Sequence, residues 1–152
     1  IPVPSLRVVK EDDSGVVISG MKMLATGALY ANEIWIGNVI PLAPDQKKEA
    51  ITCAIPCNAK GLTLWSRKPA AVGLTSEFDS PLAWRYDESD SMLMCDEIKV
   101  PWERVFVHDD ALLSRDIYIK TPSHCFGNLG ANSAMFAQET LTNTQNANLG
   151  FV

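Results

Sequence analysis

The four cysteines and two histidines are the side chains of this sequence best suited to hold a metal or act as nucleophiles, and their spacing offers little for either. Cys53 and Cys57 frame Ala-Ile-Pro, and strand alternation puts Cys53, Ile55 and Cys57 on one face. A Cys-x3-Cys pair without a second pair is weak evidence for zinc, so small buried thiols are expected. Cys95 and Cys125 stand apart, and reduced thiols suit a chain long enough to enclose a core. His108 sits in an acidic turn with Asp109 and Asp110, and His124 lies at a helix start; both read as ordinary turn or surface residues. General acid–base chemistry needs convergent carboxylates. Arg85, Glu88 and Asp90 form one charge cluster and Glu103 with Arg104 another, but no histidine or second group converges on them, so salt-bridge locks are the expected role.

Positioning any of these groups requires a folded frame, and 152 residues allow one sizeable core. A hydrophobic share of 47% against 20% charged residues argues against wholesale disorder. Thirteen basic and 18 acidic residues leave a net charge of −5, which repels a phosphate backbone. Lys47-Lys48 and Arg67-Lys68 are too small to form a basic patch, so nucleic acid is excluded as a partner. No run approaches the roughly 18 apolar residues of a membrane span. Ile1 to Leu6 lack the regions of a signal peptide, so a soluble chain in the cytoplasm is expected, and a start without Met suggests processing or trimming.

Short apolar runs bounded by turn formers fill the first two thirds, the pattern of an all-β domain. Leu6–Val9 and Val16–Leu24 flank a hairpin turn at Asp12-Asp13-Ser14-Gly15. Glu33–Val39, Ala50–Pro56, Leu62–Ser66, Pro81–Tyr86, Met92–Cys95, Glu97–Val100 and Val105–His108 follow as expected strands, with Lys68–Asp79 a long loop. From Ser114 the character changes: Thr121-Pro122-Ser123 signals a helix start, and the spacing predicts a helix over Pro122–Leu141 before a polar tail. The expected organisation is a β domain over 1–113 and a helical segment with polar tail over 114–152.

Several motifs, in one order, resemble a known family. Asp90 to Val107 carries Pro101-Trp102-Glu103-Arg104-Val105-Phe106; upstream stand Asp13 to Gly20, Met21 to Thr26, Tyr30-Ala31-Asn32-Glu33-Ile34, Cys53 to Cys57, Lys60-Gly61-Leu62, Ser66-Arg67, Phe78 to Leu82 and Arg85 to Asp90. Their order and spacing, over Leu6 to Val107, are similar to those of the 4-hydroxyphenylacetate 3-hydroxylase family, FADH2-using two-component aromatic monooxygenases on the acyl-CoA dehydrogenase plan.

The resemblance implies a mainly β fold, a small β-barrel or sandwich like the acyl-CoA dehydrogenase middle domain, with a C-terminal helical segment. It implies FAD as cofactor, with Thr26 at the end of its strand, beside Ala25, contacting the flavin N5 and O4 edge. Tyr30 and Ala31 fall near positions that touch the aromatic substrate; Tyr30 reads equally as an aromatic packed on the rim. Without the resemblance, Thr26 is a strand-end residue before Gly27. The implied chemistry is attack of reduced flavin on dioxygen to give a C4a-hydroperoxide that oxygenates a phenol, in a site closed to water on several sides. This chain supplies one of those sides. The implied partners are a flavin reductase that supplies FADH2 and a phenolic substrate; a second copy or another protein against the exposed barrel face is the partner expected of a free-standing module.

The family's helical flavin- and phenol-binding segments are not matched in this sequence, so the chain by itself is expected to hold FAD weakly or not at all. Three further readings stay open. One is a free-standing β module for binding or assembly without catalysis. Another is an acyl-CoA dehydrogenase-type middle domain acting on a thioester. The third is the 4-hydroxybutyryl-CoA dehydratase relative, whose cluster histidine falls near His124; its partner cysteine position is Ala131 here, which argues against an iron-sulfur cluster.

Overall fold

In the computed structural model, which describes residues 5–23, 25–38, 40–69, 72–85 and 90–120, the strands are β1 (Arg7–Asp12), β2 (Gly15–Lys22), β3 (Glu33–Ile36), β4 (Ile51–Pro56), β5 (Leu62–Ser66), β6 (Ser91–Pro101) and β7 (Val105–His108). Two short helices, α1 (Pro81–Arg85) and α2 (Ala111–Ile119), accompany them. The chain divides into two compact units, Ile1–Arg115 and Asp116–Val152. In the second unit the described residues are the end of α2 and Lys120, whose ammonium reaches Asp116 at 2.7 Å.

Asp12-Asp13-Ser14-Gly15 makes the predicted hairpin. Asp12 Oδ1 accepts from the Ser14 backbone N–H at 2.8 Å and from the Ser14 hydroxyl at 2.6 Å, a side-chain turn built into the backbone turn. Lys99 at 2.6 Å, together with the Ser14 bonds, holds the Asp12 carboxyl well below the usual carboxylate range. Gly15 has a φ of 147°, and a Cβ there would lie 2.1 Å from the Val100 carbonyl oxygen, so the closeness of β2 to β6 depends on its missing side chain.

All strand pairs are antiparallel, in two sheets ordered β1-β2-β6-β5 and β3-β4-β7. Val16, Ile18, Leu93, Cys95, Ile98 and Val100 of the first sheet share one buried cluster with Ile34, Ile36, Ile51, Cys53 and Ile55 of the second. Alternate residues of each strand thus fill the space between the sheets, as in a sandwich. Among the described residues the two sheets do not close into a hydrogen-bonded barrel, so of the two expected forms the sandwich is the one present.

Three readings of the sequence change. Pro81–Arg85 is a short helix rather than a strand, with proline at the start where its missing N–H costs nothing. The two predicted strands at Met92–Cys95 and Glu97–Val100 are one strand, β6, interrupted by a bulge: Ile18 pairs with Ile98 and Gly20 with Cys95, so two β6 residues oppose Ser19, and Glu97 has a φ of 50°. Helix α2 overlaps the start of the expected helical segment, 114–152, but begins before it and ahead of the helix expected over Pro122–Leu141. The predicted helix over Pro122–Leu141, with His124, Cys125 and the polar tail, lies outside the described residues, as does Glu88.

The Pro101–Phe106 signature ties the layers together. Trp102 donates its indole N–H to the Asp12 carbonyl at 2.9 Å, Arg104 bonds Glu33 at the start of β3, and Phe106 stacks on Trp35. His108 then meets Glu11 at 3.1 Å and the edge of Trp102. These are contacts that hold the hairpin, the turn Trp102–Arg104 and the second sheet in place. The lock expected of Arg104 is made with Glu33, and Arg85 pairs with Glu77.

Candidate functional site

The four positions singled out by the family resemblance all fall in one turn. After Lys22 the chain leaves β2, and the Ala25 N–H donates to the Ser91 carbonyl at 2.9 Å, which sets the next residues against the start of β6. Gly27 takes a left-handed φ of 72°, and a short 3-10 turn, Ala28–Tyr30, follows, closed by Tyr30 N–H to Gly27 at 3.0 Å and Ala31 N–H to Ala28 at 3.3 Å.

The turn is anchored from beneath and open above. Ala28 is buried and Ala25 packs on the core. The Cys57 thiol donates to the Ala28 carbonyl at 3.4 Å, and the Cys57 N–H donates to Asn32 at 3.0 Å, so the residue after β4 grips both ends of the Ala28–Ala31 segment. Thr26, Tyr30 and Ala31 face outward. Tyr30 is 79% exposed, so its ring is not packed on the rim of the sheets. A Cβ at Gly27 would meet nothing within 4 Å, so the backbone beside Thr26 borders open space.

The Thr26 hydroxyl donates to the Asp90 carboxylate. Asp90 is held in turn through its carbonyl, which accepts from the Arg67 N–H at 3.0 Å and the Ser66 hydroxyl at 3.3 Å; Ser66 and Ser91 hydroxyls meet at 3.2 Å. Thr26 and Asp90 stand 64 positions apart in sequence, and no local signal links them. In the sequence Asp90 reads as one of a charge cluster and as part of two family-like stretches, with no role at the flavin edge. Cys57 figured as a small thiol.

Behind the turn lies a polar crossing between the sheets. Lys22, paired with buried Leu93, points inward, and its ammonium donates to Asn38 Oδ1. Burial pulls the Lys22 pKa down. Asn38 Nδ2 donates to the Ser114 hydroxyl at 2.8 Å and to the Glu49 carbonyl at 3.0 Å, so one amide joins β2, the approach to β4, and α2. Cys53 and Cys95 are buried core thiols, pushed up to about 12 and about 11 by desolvation. Neither is a nucleophile at neutral pH. Among the described residues no group of three or more His, Cys, Asp or Glu side chains is placed to hold a metal ion.

What the turn offers is an exposed hydroxyl backed by a carboxylate, an open backbone at Gly27 and an exposed phenol. That set suits the polar edge of a planar heteroaromatic ring.

Comparison with known proteins gives a consistent picture. The family model described as "4-hydroxyphenylacetate 3-hydroxylase N terminal" matches residues 2–107. The oxygenase component of 4-hydroxyphenylacetate 3-monooxygenase from Thermus thermophilus is 37% identical over 120 residues, covering 79% of this chain and 24% of that protein. A crystal structure of the oxygenase component HpaB complexed with FAD superposes with a TM-score of 0.67 at 35% identity, over 78% of this chain and 24% of that one. A 4-hydroxybutyryl-CoA dehydratase from N. maritimus gives a TM-score of 0.62 at 28% identity, over 72% of this chain and 22% of that one. The chain therefore spans about a quarter of the length of these relatives. Among the described residues no helix is long and apolar enough to cross a membrane.

Proposed function

Because the chain belongs to the 4-hydroxyphenylacetate 3-hydroxylase N-terminal family, we propose that it forms one wall of the flavin site of an FADH2-dependent phenol hydroxylase, with the turn Ala25–Ala31 facing the flavin. The observation that carries this reading is the exposed Thr26 hydroxyl, fixed by Asp90 beside an open glycine backbone, on a turn anchored by Ser91 and Cys57. These residues fit a flavin edge: Thr26 contacts it, Ala25 lies beside Thr26 with its N–H committed to Ser91, and Gly27 allows the ring to approach the backbone. When bound, reduced FAD supplies the activation of dioxygen and the oxygen atom for the substrate. The chain's own residues orient one ring edge and shield it from water. Tyr30 and Ala31, one turn further on, face the phenolic substrate.

A flavin reductase is the source of the reduced cofactor in this scheme, and the protein works in the cytoplasm. One wall leaves the other sides to further structure, so the chain alone holds FAD weakly and does not complete the reaction. Equilibrium binding of reduced FAD under anaerobic conditions tests this. Weak binding that drops on Thr26→Val supports the reading; tight binding with hydroxylation of 4-hydroxyphenylacetate by the chain alone would refute the single-wall part.

A second reading, a module that associates with another copy or protein without catalysis, draws on Trp35, Trp65 and Phe106, which expose large apolar area on the outer faces of the sheets. A well-behaved monomer in sedimentation at high concentration would count against it.

A further inference from the structure

The Thr26 hydroxyl has one proton, and in this structure its place is determined by what lies beside it. An ionised carboxylate only accepts hydrogen bonds, so in the Thr26–Asp90 contact the hydroxyl is the donor. The oxygen lone pairs are then what Thr26 turns toward the open side. The backbone that carries Asp90 is held beside Thr26: the Arg67 N–H and the Ser66 hydroxyl bond the Asp90 carbonyl at 3.0 and 3.3 Å, and the Ala25 N–H bonds the Ser91 carbonyl at 2.9 Å, which brings the two chain segments together.

The two redox forms of a flavin differ at the atom this hydroxyl would meet. Reduced flavin carries a hydrogen on N5 and donates; oxidised flavin has a bare N5 lone pair and accepts. We propose that Asp90 is a positioning residue that fixes the Thr26 hydroxyl as an acceptor, so that this edge takes the N5–H of reduced flavin and opposes oxidised flavin. The inference rests on the flavin-facing reading of the Ala25–Ala31 turn. To donate to oxidised N5, Thr26 would give up its bond to a charged acceptor, and the loss of one such bond corresponds to roughly tenfold or more in affinity.

The test is an anaerobic titration of the ¹⁵N-labelled chain with reduced FAD and, separately, with oxidised FAD, following the Thr26 and Gly27 amide resonances. The expected result is binding of reduced FAD roughly tenfold or more tighter than oxidised FAD. In Asp90→Asn the side-chain amide can donate to Thr26 and release its proton, and the ratio falls toward one. Thr26→Ser keeps the ratio and Thr26→Val loses it. Should Asp90→Asn lose the native spectrum, the Ser and Val variants decide: a ratio that survives in Thr26→Val overturns the proposal. A ratio near one in the unaltered chain, or one unmoved by a folded Asp90→Asn, overturns it while leaving flavin binding at the turn intact. No response at Thr26 and Gly27 to either form overturns the flavin reading itself, and this inference with it.

Discussion

Trp35 of β3 and Phe106 of β7 stack across the outer face of the three-stranded sheet, ring centroids 4.7 Å apart and planes 19° from parallel. The strand between them presents Ala54 opposite Trp35, small enough to let the rings meet over it. Both rings stay about half exposed. Phe106→Ala is expected to lower stability by about 1–2 kcal/mol, and a double-mutant cycle with Trp35→Ala to give a coupling of about 0.5–1.5 kcal/mol. Urea midpoints at unchanged slope provide the measurement.

Two glycines separate turn geometry from close packing. Gly27→Ala meets open space and carries only the left-handed backbone strain, about 1 kcal/mol. Gly15→Ala adds a Cβ 2.1 Å from the Val100 carbonyl oxygen and must push β2 from β6, so a larger loss, about 3 kcal/mol or more, is expected. Thermal unfolding of the two variants side by side checks the order.

The fold was legible where local pattern and tertiary context agree. Asp12–Gly15 carries its turn in its composition, and Leu62–Ser66 coincides with β5. Pro81–Arg85 misled because a short apolar run suits strand and helix alike. Asp96, left between the two expected strands, hid the continuity of β6, since a bulge breaks the alternation that marks a strand. Helix α2 exposes Leu112 and Leu113 and buries Ser114, the reverse of an amphipathic helix; its one readable signal was Asp110, whose carboxylate accepts from the Leu113 N–H at 2.8 Å. At the candidate site, Thr26, Ala25, Tyr30 and Ala31 came from the family resemblance. Asp90 and Cys57 reach the turn through tertiary contacts that sequence spacing does not encode.

The buried thiols set a pH response. Cys53 and Cys95 ionise at about 12 and about 11 in the fold, against an ordinary value of 9.0. Above pH about 9 the unfolded chain sheds these protons first, so their contribution to stability, complete below that pH, declines toward pH 12. Cys53→Ala should flatten that decline. Iodoacetamide at pH 8 should modify Cys57 before Cys53 or Cys95, read by mass spectrometry of the native chain.

Lys22 acts in the opposite direction. Its pKa is lowered in the fold from 10.5, so below that value the folded chain bears the cost of a desolvated ammonium, and the cost is relieved as pH rises toward 10.5. Lys22→Met should therefore be neutral or stabilising at pH 7, with its advantage shrinking as the pH approaches 10. Asn38→Ala, which strips partners from Ser114 and Lys22 together, should cost about 2–3 kcal/mol at either pH.

The central claim is that the Ala25–Ala31 turn is the flavin-facing edge of this chain. Chemical-shift mapping of the ¹⁵N-labelled protein on addition of reduced FAD tests it most directly. The predicted result is a set of perturbed amides confined to Ala25–Ala31 and to Asp90 and Ser91 beside them. Perturbation centred instead on the Trp35–Phe106 face, or none at saturating flavin, would contradict it.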